Sequence, residues 1–246
     1  MNSAPWIIYC DGSAVPNPGR MGLGAVVTAP DGSRHPISIT AEGRGCNNEA
    51  ELRALMAAMQ YAGLTTGIAS WWGRGSKTDL RLETLLSAAQ DTHFRWAIYY
   101  EPESTGDPSS TQIASDLTYI RDSYASSRGY LRVNGRFVVF VYAAGPDACG
   151  MADRWAQGNT VNAYVVLKVF SGYKSCASQP DGWHQYGPAS ATDSQAGYSY
   201  TISPGFWKVG EQPRLVRDLA AWSSDVASMV ASNAPFQLIT TFNEWG

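Results

Sequence analysis

Two almost unbroken apolar runs, FVVFVY at 137–142 and YVVLKVF at 164–170, constrain this chain most. A strand with no polar face is buried on both sides, as in a parallel sheet sandwiched between helices. Parallel strands cannot be joined by hairpins, so helical crossovers must lie between them. The sequence supplies both. Beyond residue 62 the pattern predicts strands at Gly67–Trp72, Trp96–Glu101, Phe137–Ala143, Ala163–Phe170, Trp183–Tyr186, Tyr198–Ser203 and Phe236–Glu244. Helices are predicted at Asp79–Gln90, Thr111–Tyr124, Cys149–Gln157 and Pro213–Ser232, the second marked by Ile113, Leu117, Ile120 and Tyr124 at helical spacing.

Ahead of this region stands Asn47–Trp72, read as a helix running into a strand. Leu52, Leu55, Met56 and Met59 form one apolar stripe. Asn48 and Glu51 suit a capped start, and Gly63 suits the stop. Three further strands precede it: Trp6–Cys10, Gly24–Ala29 and His35–Thr40, with Asp31-Gly32 as a turn signal. Adding Trp6–Cys10 to the seven later strands makes eight, the count of a TIM barrel. Polar and aromatic side chains gather at the predicted strand ends: Trp71 and Trp72, Tyr100 and Glu101, Tyr142, His184 and Tyr186, Glu244 and Trp245. In a barrel these ends share one mouth.

The N-terminal motifs YCDGSAVPNPGRMGLGAVV and NNEAELRAL resemble ribonuclease H over residues 1–58. The resemblance implies that Asp11, from DGS, and Glu51, from NNxxEL, are metal-binding catalytic carboxylates. That chemistry needs a carboxylate cluster shared by two Mg²⁺ ions. The strand after the helix, GIASWWG, carries no acid, and the next one is Asp79. The expectation is therefore no cofactor, with Mg²⁺ only if Asp11 and Glu51 function.

The remainder, from Met56 to Gly246, resembles the barrel of glycoside hydrolases of the endo-α-mannosidase type. The carriers are GIASWWGRG, WAIYYEPE, YLRVNGRFVVFVY, AYVVLKVFSGY and ITTFNEWG, in order. The family's first βα unit is missing, and the ribonuclease-H-like segment stands in its place. The resemblance implies retaining cleavage of α-mannose-type glycans by two glutamates at the end of the last strand. One deprotonates the sugar's 2-hydroxyl and the other protonates the leaving oxygen. Glu244 matches the first, and the second would fall three residues later, past Gly246. It also implies sugar contacts by Trp71, Trp72, Tyr100, Glu101, Tyr142, His184, Tyr186 and Trp245.

The two ancestries share a βαβ unit. In ribonuclease H the first strand lies parallel to the strand after the first helix. The second strand pairs on its other edge, which a closed barrel needs for its last strand. Local pairing closes the shorter loop and favours the hairpin. The expected fold is thus α/β. TIM-barrel-like βα repeats follow a ribonuclease-H-like first strand and hairpin, in a mixed, enlarged or incompletely closed barrel. One fused domain, 1–246, is expected, with 1–62 ribonuclease-H-like and 63–246 glycoside-hydrolase-like.

Composition narrows the partners. A net charge of −3, and −1 within 1–62, gives no basic surface for nucleic acid. Nine Trp and 13 Tyr suit a carbohydrate ligand. No run is long and apolar enough for a membrane span, and MNSAPWIIYC does not read as a signal peptide. Location is left open: the barrel parent fits secretion, an engineered chain cytoplasmic expression. Cys149 and Cys176 are open to a disulfide or to free thiols; no spacing suits zinc. The function expected is that of a recombined or engineered chimera without full catalytic activity. The alternatives are a retaining hydrolase or binder of α-mannose-type glycans, and a Mg²⁺-dependent ribonuclease.

Overall fold

The computed structural model describes residues 7–29, 31–143, 148–208 and 210–241. The chain divides into two compact units, Met1–Ile98 with Tyr119–Phe137, and Tyr99–Thr118 with Val138–Gly246. Neither limit falls at the 62/63 junction. In chain order the elements are β1 (Ile7–Val15), β2 (Gly19–Thr28), β3 (Arg34–Gly45), α1 (Asn47–Tyr61), β4 (Thr66–Trp71), α2 (Asp79–Ala89), β5 (Arg95–Tyr100), α3 (Glu103–Gly106) and α4 (Ser110–Ser123). There follow β6 (Arg132–Val133), β7 (Arg136–Val141), α5 (Cys149–Gly158), β8 (Tyr164–Lys168), a 3₁₀ turn at Tyr173–Ser175, β9 (Gly182–His184), β10 (Thr192–Gln195), β11 (Ser199–Ile202), α6 (Leu219–Ala231) and β12 (Phe236–Ile239).

In the first unit, β1, β2 and β3 form an antiparallel sheet in that order. The N-terminal hairpin is therefore retained. Alternate residues of β2, Met21, Leu23, Ala25 and Val27, are buried and give the sheet one inner face. Helix α1 lies on that face. A Cβ added to Gly12 of β1 would come within 2.1–2.4 Å of the Ala50 and Glu51 backbone, so strand and helix are in direct contact. This closeness decides which helix face is buried. Ala50, Ala54 and Ala58 go inward with Met56, while Leu52, Leu55 and Met59 are only half buried. The buried face is thus rotated from the predicted leucine–methionine stripe and is made of alanines with Met56 and Arg53. The predicted Asn48–Glu51 cap is also replaced: the N-cap is Cys46, without a side-chain cap. Asn47 instead ties the helix start to the sheet, its Oδ1 accepting the Ala14 N–H at 2.8 Å. The helix stops as expected at Gly63, with φ +83°. The Gly63 and Leu64 N–H groups bond back to the Gln60 and Met59 carbonyls, a Schellman closure.

The sequence placed the first strand beside the strand after α1. Among the described residues β1 pairs with β2, as the hairpin reading expected, but β4 belongs to a different sheet, next to β5. Below β4, Asp79 opens α2 at 2% exposure. Its carboxylate accepts Trp71 Nε1 (2.6 Å), the Gly75 N–H (2.7 Å), Tyr124 Oη (2.7 Å) and Tyr119 Oη (3.0 Å). Burial alone would raise its pKa, but these donors outweigh it and hold the group below the usual aspartate value.

In the second unit the end of β5, then β7, β8 and β9, stand side by side. β7–β8 and β8–β9 are parallel. Val138, Val139, Phe140, Val141, Val165, Val166 and Leu167 are all buried, as the apolar runs require. β10, β11 and β12 make a separate three-stranded sheet, with β11–β12 parallel and β10–β11 antiparallel. Among the described residues the strands form three sheets, the mixed α/β arrangement expected, with the N-terminal hairpin retained. Here β10, a short polar strand with no apolar alternation, interrupts the βα pattern. Cys149 and Cys176 are disulfide-bonded, joining the start of α5 to the segment after β8. The sequence separation is 27, so the chain-entropy model gives about 3.5 kcal/mol of stabilisation.

Two outcomes follow. Replacing both Cys149 and Cys176 by Ser should lower the unfolding free energy by up to about 3.5 kcal/mol in urea titrations, with dithiothreitol equally damaging to the native chain. For Asp79, a depressed folded pKa contributes stability present above the unfolded value of ~3.9 and lost as pH falls through the folded one. Asp79→Asn should therefore flatten the acid limb of the stability–pH curve. It should also cost about 3 kcal/mol at neutral pH, since three side-chain donors lose a charged acceptor.

Candidate functional site

Strand alternation sorts the end of β5. Tyr99 and Tyr100 are consecutive and therefore face opposite sides of the sheet. Tyr100 turns toward the helices, where its hydroxyl donates to Asp116 Oδ2 at 2.7 Å and its ring meets Trp155 edge-on at 5.0 Å. Burial raises the Asp116 pKa against the lowering effect of hydrogen bonds from Tyr100 and Gln112. Trp155 Nε1 donates to Glu103 Oε2 at 2.8 Å, and Arg154 pairs with Glu103 and Asp107. Burial still leaves Glu103 with a raised pKa, its partners Trp155 and Arg154 pulling the other way.

Tyr99 turns to the other side. Its ring packs against Tyr142, His184 and Tyr186 with centroids 5.6, 5.5 and 5.8 Å away, and Tyr142 and Tyr186 are themselves 5.2 Å apart. Tyr99 Oη lies 2.9 Å from His184 Nε2, and His184 Nδ1 lies 3.1 Å from the Leu167 carbonyl. Lys168 Nζ sits 5.7 Å over the Tyr142 ring. Glu101, also buried, is close enough to push the Tyr99 phenol pKa up further, after burial, with Tyr186 and Tyr142 adding to it. Burial drives the His184 pKa down to about 3, Lys168 adding to that and the Leu167 hydrogen bond opposing it. These groups come from the C-terminal ends of β5, β7, β8 and β9. Tyr142 and Tyr186 are half-buried, and their rings cluster with Tyr99 near the buried Glu101 carboxylate. Ring faces pack against the C–H faces of a sugar, and carboxylates accept from its hydroxyls.

Of the residues expected from sequence, Glu101, Tyr142, His184 and Tyr186 are brought together. Tyr100 is committed to the helix side. Trp71 is buried in the first unit, its indole bonded to Asp79 and stacked on Tyr119. Trp72, in the same unit, is 50% exposed. Glu244 and Trp245 lie outside the described residues. Sequence reasoning placed Tyr99 at a strand end but not among the sugar contacts, and passed over Lys168. Tyr99 was legible as the neighbour of Tyr100 on the opposite face, and Lys168 as the one cation in an apolar run.

In the first unit, Asp11 and Glu51 are both exposed, and the Glu51 backbone meets β1 at Gly12, the residue after Asp11. After burial, both raise the pKa of the Cys10 thiol. Asp11 Oδ1 accepts the Gly12 N–H at 2.9 Å. Among the described residues no group of three or more His, Cys, Asp or Glu is placed to hold an ion. Asp79, the first acid after β4, is consumed by its own four donors. Among the described residues, two carboxylates do not by themselves make the shared cluster that a two-ion site requires.

The ribonuclease H family model matches residues 3–70. The GH99 endo-α-mannosidase of Bacteroides thetaiotaomicron, solved with bis-tris-propane, superposes with a TM-score of 0.64 at 16% identity, over 80% of this chain and 72% of that one. A second structure of the same enzyme gives 0.61, over 79% and 67%. The RNase H1 of Halobacterium salinarum is 26% identical over 39% of this chain and 83% of its own, with a TM-score of 0.22. No curated protein matches the chain in sequence. A ribonuclease-H-type segment thus opens a chain that over most of its length has the GH99 fold.

Titration with Mg²⁺, followed through the amide resonances of Asp11 and Glu51, should show binding no tighter than the order of millimolar, as a site with so few charged ligands dictates. Saturation by two ions at micromolar concentration would mean that further acids complete the site.

Proposed function

We propose that this chain is a recombination of two α/β proteins and that its function resides in the second unit, as a binding site for α-mannose-type oligosaccharides. The observation that carries this reading is the meeting of Tyr99, Tyr142, Tyr186 and Glu101 at the C-terminal ends of parallel strands. In α/β sheets that edge is where ligands bind. The GH99 likeness supports the sugar class, because the neighbour it identifies is an endo-α-mannosidase. The split between a family match confined to residues 3–70 and a fold match over 80% of the chain supports recombination.

Within this reading, Tyr142 and Tyr186 receive the sugar's apolar face, and Glu101 accepts from its hydroxyls. Hydrolysis additionally requires a carboxyl pair, of which Glu244 is the one we nominate, as base toward the sugar's own 2-hydroxyl. A metal-dependent ribonuclease is the weaker alternative. Its one favourable observation is that Asp11 and Glu51 are both near enough to raise the pKa of the Cys10 thiol, and no further acid joins them among the described residues.

Calorimetric titration with α-mannobiose should give saturable binding, weakened roughly tenfold (about 1.4 kcal/mol) by Tyr142→Ala. Equal affinity in the variant, or no saturation in the native chain, would remove this site from the function. Cleavage of an RNA–DNA hybrid abolished by Asp11→Asn would favour the alternative.

A further inference from the structure

His184 is 3% exposed and both of its ring nitrogens are engaged, so it cannot itself offer a nitrogen to a ligand. The direction of its two hydrogen bonds follows from elementary chemistry. The Leu167 carbonyl can only accept, so Nδ1 carries the proton. A buried imidazole beside Lys168 stays neutral through the physiological range. Nε2 therefore holds a lone pair, and Tyr99 must donate to it.

We infer that His184, fixed as the neutral Nδ1–H tautomer between the Leu167 carbonyl and the Tyr99 hydroxyl, is a positioning residue that sets the ring platform of Tyr99, Tyr142 and Tyr186. The inference rests on the oligosaccharide reading for what the platform receives, but not for the hydrogen-bond chain itself. Three strands meet in that chain: β8 through Leu167, β9 through His184 and β5 through Tyr99. The Phe140 ring of β7 closes the other side of the imidazole edge-on at 5.3 Å. With its proton held by His184, the Tyr99 phenol cannot rotate away from β9. Its ring face is then fixed against Tyr142 and Tyr186, the two rings that are accessible. The charged and titratable groups around the pair are Lys168 on β8, Glu101 at the end of β5, Tyr142 after β7 and Tyr186 after β9. None of them is a second donor to Nε2 among the bonds described.

The test combines ¹⁵N spectroscopy of the imidazole with two substitutions. In the native chain, long-range ¹H–¹⁵N spectra should show a protonated Nδ1, a bare Nε2 and no change between pH 5 and pH 8. Tyr99→Phe should shift the Nε2 resonance alone. His184→Phe keeps the ring but removes both bonds; it should diminish the near-ultraviolet tyrosine dichroism and weaken α-mannobiose binding roughly fivefold. His184→Gln, whose amide oxygen can accept from Tyr99, should recover most of both. An Nε2–H tautomer, or an imidazolium forming between pH 5 and pH 8, overturns the inference. So does a His184→Phe chain with native dichroism and affinity. If the native chain binds no α-mannobiose, the oligosaccharide reading fails, while the imidazole spectra and the tyrosine signal still decide the role of His184. If His184→Phe does not fold, the native and Tyr99→Phe spectra decide it.

Discussion

Consecutive residues of a strand face opposite sides of the sheet, and at Tyr99–Tyr100 this alternation separates two buried polar networks that the second unit needs at once. Tyr100 donates to Asp116 among the helices, while Tyr99 donates to His184 across the sheet. A buried hydroxyl left without its partner costs ~1–3 kcal/mol, so each network fixes the register of β5 independently. A slip by one residue would exchange the two phenols and orphan both. The polar pairs therefore specify the register that the surrounding valines, interchangeable in shape, leave degenerate.

The first unit shows the same residue type in two opposite situations. Asp79 is buried and surrounded by donors, which makes its charge a structural asset. Asp11 is exposed and accepts one local N–H, which leaves its charge to the solvent. The motif residues around Asp11 are explained by packing. Gly12 is where α1 touches β1, and no Cβ fits there. Asn47 holds the Ala14 N–H, and Asn17 in turn accepts the Asn47 N–H at 3.3 Å. The ribonuclease-H-like pattern thus includes the residues that dock a helix on a hairpin.

The element order was legible because the chain states it in periodicity. Continuous apolar runs gave β7 and β8, and the 113–117–120 spacing gave α4, each within two residues of its observed ends. The face of α1 was not legible. Hydropathy favours Leu52, Leu55 and Met59, but β1 meets the helix backbone at Ala50 and Glu51 through Gly12, and that distance is a tertiary fact. The antiparallel partner of β1 was legible from the short loop that joins it to β2, whereas its expected neighbour on the other edge, β4, lies in a different sheet among the described residues. At the site, residue types were readable and orientations were not. Trp71 and Tyr100 have the right chemistry for a sugar, but their polar atoms are taken by Asp79 and Asp116.

The acids at the end of β5 carry this last distinction furthest. Glu101 and Glu103 are two residues apart, and by composition alone either could serve a ligand. Glu103 begins α3, where the Trp155 indole and Arg154 occupy its oxygens. Breaking that arrangement would strand a guanidinium and an indole N–H, so the carboxylate is bound to the helix layer. Glu101 precedes it by the turn at Pro102, and its field is felt by Tyr99 on the opposite side of the sheet. Beside the tyrosine rings lie the carboxylate of Glu101 and the ammonium of Lys168, charges of opposite sign. A neutral polyhydroxylated ligand can satisfy both signs, donating to one and accepting from the other, where an anion or a cation would meet one of them as a like charge.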